Sequence, residues 1–262
     1  PFRADEVGSL LRPQAIKEAR EAFANDKIDA EALKAVEDNC IREVVKKQEE
    51  VGLQAVTDGE FRRSWWHFDF LAGLEGVEMV ETEGSLPFQG ATTKHENIAV
   101  TDKVAFNDHY MLEHFRFLKE VTKVTPKITI PSPSVLQFRG GRDFVSKDVY
   151  PNWDNFYSDT AEAYANAVRA FYDAGCRYLQ FDDTVWAYLC SDIEKERARE
   201  RGLDPDSLPE AYKDMINHAL AAKPDDMHMT THVCRGNFKS TWISEGGYEP
   251  IAETLLAETN YN

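Results

Sequence analysis

Cysteine, basic charge and long apolar runs are all scarce in this chain. Four cysteines, Cys40, Cys176, Cys190 and Cys234, spread over 262 residues are too few for a disulfide framework and fit a reducing, cytoplasmic setting. No stretch of about eighteen apolar residues occurs, and the N-terminus lacks the basic-then-apolar pattern of a secretory leader, so no membrane partner is expected. Lysine and arginine number 30 against 46 aspartates and glutamates, a net charge of −16, and such a surface repels the phosphates that a nucleic-acid binder must attract. Also missing are a Gly-x-Gly-x-x-Gly turn, a phosphate loop and a Gly-x-Ser-x-Gly elbow, which argues against dinucleotide, nucleotide and serine-hydrolase sites. What is present, 42% hydrophobic and 11% aromatic residues, suffices for one sizeable core.

Helical and strand periodicities alternate along the chain. Leu33, Val36, Cys40, Val44 and Val51 repeat at helical spacing before Gly52, a C-terminal cap, and residues 53–58 then read as a short buried strand. The alternation recurs as a helix over 110–121 and a strand over 127–130. It recurs again as a helix bearing Tyr157, Ala161, Tyr164, Val168 and Phe171 and a strand over 178–182, then as a stripe of Tyr212, Met215, Ile216 and Ala219 and a strand over 227–234. A first strand is expected over 4–10, and a last helix from Pro250 with Ile251, Ala252, Leu255 and Leu256 on one face. About five strands result. Residues 75–101 mix glycine with β-formers and break the rhythm, as an excursion or hairpin would. The expectation is an α/β chain forming one (β/α)8 TIM barrel domain over 1–262. Because the chain stops where a further strand should begin, and Pro1 is no initiator residue, residues beyond both ends are expected and the barrel reads as truncated before its last strands.

Chemistry in such a barrel gathers at the carboxyl ends of the strands, and here those ends read Gly8-Ser9, Asp58-Gly59-Glu60, Pro131-Ser132-Pro133-Ser134, Asp182-Asp183 and His232-Val233-Cys234. Side chains two apart on a strand share a face, so His232 and Cys234 can offer a nitrogen and a sulfur to one zinc ion. The alternative is a buried cysteine beside a hydrogen-bonded histidine. A catalytic zinc needs a third protein ligand. Within the chain the candidates are Glu60, Cys176 and Cys190, of which Cys176 opens a strand and reads as core, and Cys190 as packing. Glu60 and Asp182 are placed to bind a substrate ammonium, unless they merely cap helices or pair with Arg62, Arg63 or Arg177; Asp183, facing the other way, fits that structural role better. The Gly8-Ser9 turn can receive a carboxylate, with Arg12 close by in sequence. Basic islands at Arg62-Arg63, Arg139 to Arg142 and Arg235 with Lys239 can admit an anionic cosubstrate. The run Trp65-Trp66-His67-Phe68 can stack on a flat ring, pack in the core or form a subunit interface.

These motifs, in this order along nearly the whole chain, resemble the cobalamin-independent methionine synthase family, specifically short single-barrel members matching the catalytic C-terminal barrel of the two-barrel enzyme. The matching stretches are residues 5–13, Thr57-Asp58-Gly59-Glu60, Pro131 to Ser134, residues 173–184, and His232-Val233-Cys234-Arg235-Gly236-Asn237. The resemblance implies a zinc-dependent methyltransferase, like methyltetrahydropteroyltriglutamate–homocysteine S-methyltransferase, that makes methionine from homocysteine. It further implies His232 and Cys234 as zinc ligands and Ser9, Glu60 and Asp182 as the holders of the amino-acid end of homocysteine. In the family a Glu, a second Cys and a proton-donating His lie beyond the position matching Asn262. Asp182-Asp183-Thr184 departs from the Asp-Glu-Pro of the long enzymes, and the family's N-terminal barrel is missing, so the methyl donor, a methyl-folate or another small molecule, stays open, as does a homo-oligomer. Two other readings compete: a zinc barrel alkylating a different thiol such as coenzyme M, which has no ammonium to bind, and a non-catalytic amino-acid or metal-binding barrel.

Overall fold

The computed structural model describes residues 2–81, 96–237 and 241–262. Its first helices, α1 (Gln14–Ala24) and α2 (Ala30–Glu50), pack against each other. The Asp29 side chain caps α2 by accepting from the amide of Ala32 at 2.8 Å, and Gly52, at φ +89°, lets the chain turn off the helix end. Strand β1 (Ala55–Val56) follows, then a short α3 (Phe68–Leu71).

Strands β2 (Glu75–Glu81) and β3 (Glu96–Ala105) form an antiparallel pair. They are the described part of the excursion expected over 75–101, of which residues 82–95 lie outside the described residues. The chain continues through α4 (Met111–Val121), β4 (Thr125–Pro126), β5 (Ile128–Pro131), α5 (Ser134–Phe138), α6 (Trp153–Asp173), β6 (Tyr178–Asp183), α7 (Val185–Tyr188), α8 (Asp192–Glu200), α9 (Leu208–Leu220), β7 (His228–Val233) and α10 (Ala252–Ala257).

All pairings outside the β2–β3 ribbon are parallel: β1 with β4, β5 with β6, and β6 with β7. Only Lys127 separates β4 from β5, and its amide donates to the Val56 carbonyl at 2.8 Å. One extended stretch, 125–131, therefore pairs with β1 at its start and with β6 at its end, joining the sequence order β1, β4–β5, β6, β7 into one run. Among the described residues this run does not close on itself. The fold is α/β, with helices covering a parallel sheet.

The helices exist because their apolar stripes have this sheet to cover. In α6, Phe156, Tyr164, Val168 and Phe171 are wholly buried, and in α9 Tyr212 and Ile216 are too. Under them lie Leu179 and Phe181 of β6, also without exposure. Burying each such side chain is worth about 1.5–3 kcal/mol.

Two expectations need correction. Residues 4–10 form no strand. Their backbone is held mostly by side chains: Thr57 donates to the Gly8 carbonyl at 2.7 Å, Gln180 to the Val7 carbonyl at 2.8 Å, and Lys127 to the Glu6 carbonyl, while the Leu10 amide donates to the Gly59 carbonyl at 3.1 Å. With Gly8 at φ +149°, the segment is an extended strap laid on the sheet rather than a rung of it. In α10, Leu255 is buried but Leu256 is 78% exposed, because the helix is one and a half turns long and only one side meets α9.

Candidate functional site

Beyond the carboxyl ends of the parallel strands lies a cleft of about 560 Å³. Ser9, Glu60, Asp182, His232 and Cys234 all line it, so residues spread over more than two hundred positions meet at one end of the sheet.

Glu60 is placed by a knotted turn. The Asp58 carboxylate accepts the amide of Glu60 at 2.8 Å, and the Thr57 hydroxyl accepts that of Gly59 at 3.1 Å. Glu60 is thereby held at φ +55°, a left-handed conformation that a glutamate adopts only when its surroundings impose it. Arg12 donates to the carbonyls of Glu60 at 3.0 Å and Arg63 at 2.8 Å, which makes it a clamp on the turn. The Glu60 carboxylate accepts from the Thr129 hydroxyl of β5 and pairs with Arg63. Burial nevertheless raises its pKa, against the pull of Arg63.

Asp182, the last residue but one of β6, is 8% exposed and accepts from Gln180 at 2.8 Å. Its pKa is pushed up to about 7, chiefly by burial and next by the charge of Glu60. Asp182 thus carries the cost of ionising beside Glu60, and the charges of Arg63 and Lys127 only partly offset it. A bound cation relieves it. Asp183 also borders the cleft, but its carboxylate is engaged within the protein: the residue has no exposure, accepts from the Ser134 hydroxyl at 2.8 Å and caps α7 through the amide of Val185 at 2.7 Å.

His232 lies on β7 opposite Asp182 in the strand register, and the Cys234 amide continues the ladder by donating to the Asp183 carbonyl at 3.0 Å. The alternation of side chains puts both into the cleft. Burial, with Lys127 adding to it, lowers the imidazole pKa, so His232 is a neutral donor. Burial raises the thiol of Cys234, and Asp182 raises it further. A thiol in this setting ionises only beside an added cation. Neutral nitrogen and latent thiolate suit zinc, but among the described residues no group of three or more His, Cys, Asp or Glu forms a metal cluster. Cys176 is wholly buried, and Cys190 turns its sulfur to the Trp186 carbonyl at 3.3 Å. Neither lines the cleft.

Trp65 and Trp66 form part of the cleft wall, whereas His67 and Phe68 behind them are buried. Of the basic islands, Arg62 is taken up by Glu37 and Asp38, and Lys239 lies outside the described residues. Sequence reading missed Thr129, Tyr188 and Lys127. Lys127 has no side-chain exposure, pairs with Asp5 at 3.0 Å and sits over the Tyr178 ring at 5.0 Å. Its signal was a lone lysine leading an apolar strand: inside a sheet a lysine demands a buried acid, and Asp5 and Glu6 head the only acidic pair beside the Gly8 turn. It secures the strap that carries Ser9.

The sequence profile of the cobalamin-independent synthase catalytic domain matches residues 2–245. The uncharacterized Bacillus subtilis proteins YxjH and YxjG are each 48% identical over 99% of this chain and 68% of their own length. Methionine synthase of Sulfolobus acidocaldarius is 23% identical over 98% of the chain and 68% of its own. Among solved structures, a Listeria monocytogenes protein described as the "putative vitamin-B12 independent methionine synthase" superposes with a TM-score of 0.80 at 43% identity, covering all of this chain and 71% of that one. A B12-independent methionine synthase from Shewanella sp. W3-18-1, in complex with selenomethionine, shares the fold at TM-score 0.59 and 18% identity over 82% of this chain and 56% of that one. On the profile and on the 48% relatives, this chain belongs to the cobalamin-independent methionine synthase catalytic-domain family.

Proposed function

We propose that the chain is the catalytic part of a methyltransferase that moves a methyl group from a small donor to the thiol of homocysteine, giving methionine in the cytoplasm. Residues 1–262 are read as one (β/α)8-type barrel domain with an excursion at about 75–101, the parallel run of β1 to β7 being part of its wall. The observation that carries the reading is the pair of buried carboxylates, Glu60 and Asp182, facing one cleft with a nitrogen and a sulfur donor on the adjacent strand. The homocysteine ammonium satisfies the first pair, and its thiol is the group that the second pair exists to serve.

In this reading Glu60 and Asp182 hold the ammonium, and the Gly8-Ser9 turn receives the carboxylate. Thr129 and Arg63 keep Glu60 aimed, and Gln180 keeps Asp182 aimed while tying the strap at Val7. His232 and Cys234 are two protein ligands for zinc, with a further donor required. Zinc supplies one thing: it lowers a thiol pKa from about 8.5 so that sulfur is present as the nucleophile at neutral pH. The tryptophan wall excludes water from the reacting sulfur. A coenzyme M type of thiol, bearing a sulfonate, leaves Glu60 and Asp182 without a partner and with a repelled one.

The test compares homocysteine with 4-mercaptobutyrate, which lacks the amino group, by calorimetric titration of the full-length protein. Glu60→Gln and Asp182→Asn keep size and remove charge, so each is expected to weaken homocysteine binding by roughly 1.5–3 kcal/mol, the range for hydrogen bonds to charged groups, with zinc content unchanged. Undiminished discrimination in both variants overturns the assignment.

A further inference from the structure

Arg139 is the one guanidinium lining the cleft that has no hydrogen bond or ion pair among the described residues. The other arginines of the site and its islands are engaged. Arg12 clamps two carbonyls and Arg63 holds Glu60. Arg142 donates to the Tyr150 carbonyl at 2.6 Å and lies 4.7 Å from the Trp153 ring centre. Arg235 donates to the Tyr248 hydroxyl at 3.2 Å. Arg139 follows α5 and shares its wall with Tyr188 and Thr184. The carboxylate whose charge acts on it is Glu194, which is itself paired with Arg197.

Arg139 is half-buried and its Nε is buried with no hydrogen-bond partner; an unpartnered cationic donor is costly, and a protein keeps one where a ligand completes it. Burial lowers the Arg139 pKa and Arg201 lowers it further, while His67, wholly buried with neither ring nitrogen hydrogen-bonded, is held neutral by burial and by the charges of Arg139 and Arg63. This side of the cleft is positive on a chain of net charge −16, opposite in sign to the Glu60–Asp182 side. Arg139, Tyr188, Thr184 and Cys234 line one cleft of about 560 Å³, so a single small molecule in it can meet both the guanidinium and the sulfur.

We propose that Arg139, with the hydroxyls of Tyr188 and Thr184, is the subsite for an acidic group of the methyl donor, so that the donor is a compact anion lying across Cys234 from the amino-acid subsite. The inference rests on the methyl-transfer reading of the cleft and adds the class of its second substrate. The acidic group is a carboxylate, phosphate or sulfonate; a guanidinium pairs with each through two parallel N–H donors.

Acetate, inorganic phosphate and sulfate serve as probes in calorimetric titrations of the full-length protein, with and without saturating homocysteine. At least one anion is expected to bind saturably, about tenfold or more weaker to Arg139→Gln, with much of the affinity kept in Arg139→Lys, which preserves the charge if the glutamine variant folds poorly. Arg142→Gln, on the same loop but already engaged, is expected to bind as wild type does. The best of the three anions names the acidic group. No saturable anion, equal binding to Arg139→Gln, or displacement of the anion by homocysteine each overturns the proposal. A second arm splits a cellular small-molecule extract on an anion-exchange resin and assays both fractions for conversion of homocysteine to methionine. Donor activity in the retained fraction supports the subsite, and donor activity in the flow-through overturns it. Activity in neither fraction counts against the methyl-transfer reading itself, and the anion titrations then decide Arg139 alone.

Discussion

Replacing Gly8 by alanine places a methyl group where the structure has no room for one. The added Cβ falls 2.7 Å from a carboxylate oxygen of Glu60 and 2.9 Å from the Thr129 methyl. Because the backbone there has φ +149°, the side chain is strained even before it meets its neighbours. Overpacking costs about 1–3 kcal/mol, and an unfavourable backbone conformation adds about 1 kcal/mol or more, so Gly8→Ala is expected to lose roughly 2–4 kcal/mol of stability. The Glu60 carboxylate is the mobile member of the contact. Its displacement breaks the Thr129 and Arg63 contacts and should weaken homocysteine about tenfold. Gly52→Ala is the control, since Gly52 also has positive φ, +89°, but nothing lies within 4 Å of its added Cβ. Urea denaturation and homocysteine titration of both variants separate strain from clash. If Gly8→Ala loses no more stability than Gly52→Ala and binds homocysteine as wild type does, the strap does not shape the Glu60 pocket and the reasoning fails.

Two further outcomes follow from the same contacts. Glu6 has its pKa pushed up to about 7 by burial, against the pull of Lys127. The folded chain therefore holds this proton more tightly than the unfolded one, and the stability it contributes is complete at acid pH and declines as pH rises from about 4.5 through about 7. Glu6→Gln should remove that decline, so urea midpoints of wild type relative to the variant are expected to fall between about pH 5 and pH 8; a constant difference refutes it. His232→Ala and Cys234→Ser are each expected to remove most of the zinc from the full-length protein by elemental analysis, and undiminished zinc in both removes these residues from the metal site.

The sequence displayed those features that obey a period. Alternation along β6 separated Asp182 from Asp183, whose carboxylate is taken up by Ser134 and the Val185 amide although both residues line the cleft, and the same rule put His232 and Cys234 on one side of β7. Helical stripes located α6 and α9, whose buried faces match the apolar positions, and located α2 with its face turned by about one residue: Cys40 is buried as expected, but Ile41 and Val45 complete the buried face and Val51 is 78% exposed. What escaped has no period. The 4–10 segment reads as a strand, yet apart from one backbone bond, from the Leu10 amide to the Gly59 carbonyl at 3.1 Å, its partners are the distant side chains of Thr57, Lys127 and Gln180, which no local pattern encodes. Helix α1 carries only Ile16 and Ala19 as buried residues, too thin a stripe to register. The role of Arg63 as partner of Glu60 was foreseen as a structural alternative, and the structure holds both at once: Glu60 is paired and still faces the cleft. Lys127 and Thr129 act across the sheet, through a register that only the folded chain establishes.

The most direct test of the account follows the sulfur itself. Full-length protein with zinc is given isotopically labelled homocysteine and a cellular small-molecule extract as the source of methyl donor, and labelled methionine is measured by mass spectrometry. The account expects labelled methionine from wild type, a strong loss in Asp182→Asn, and none in Cys234→Ser. Homocysteine left unconsumed by wild type, or methionine formed equally well by Cys234→Ser, would contradict it.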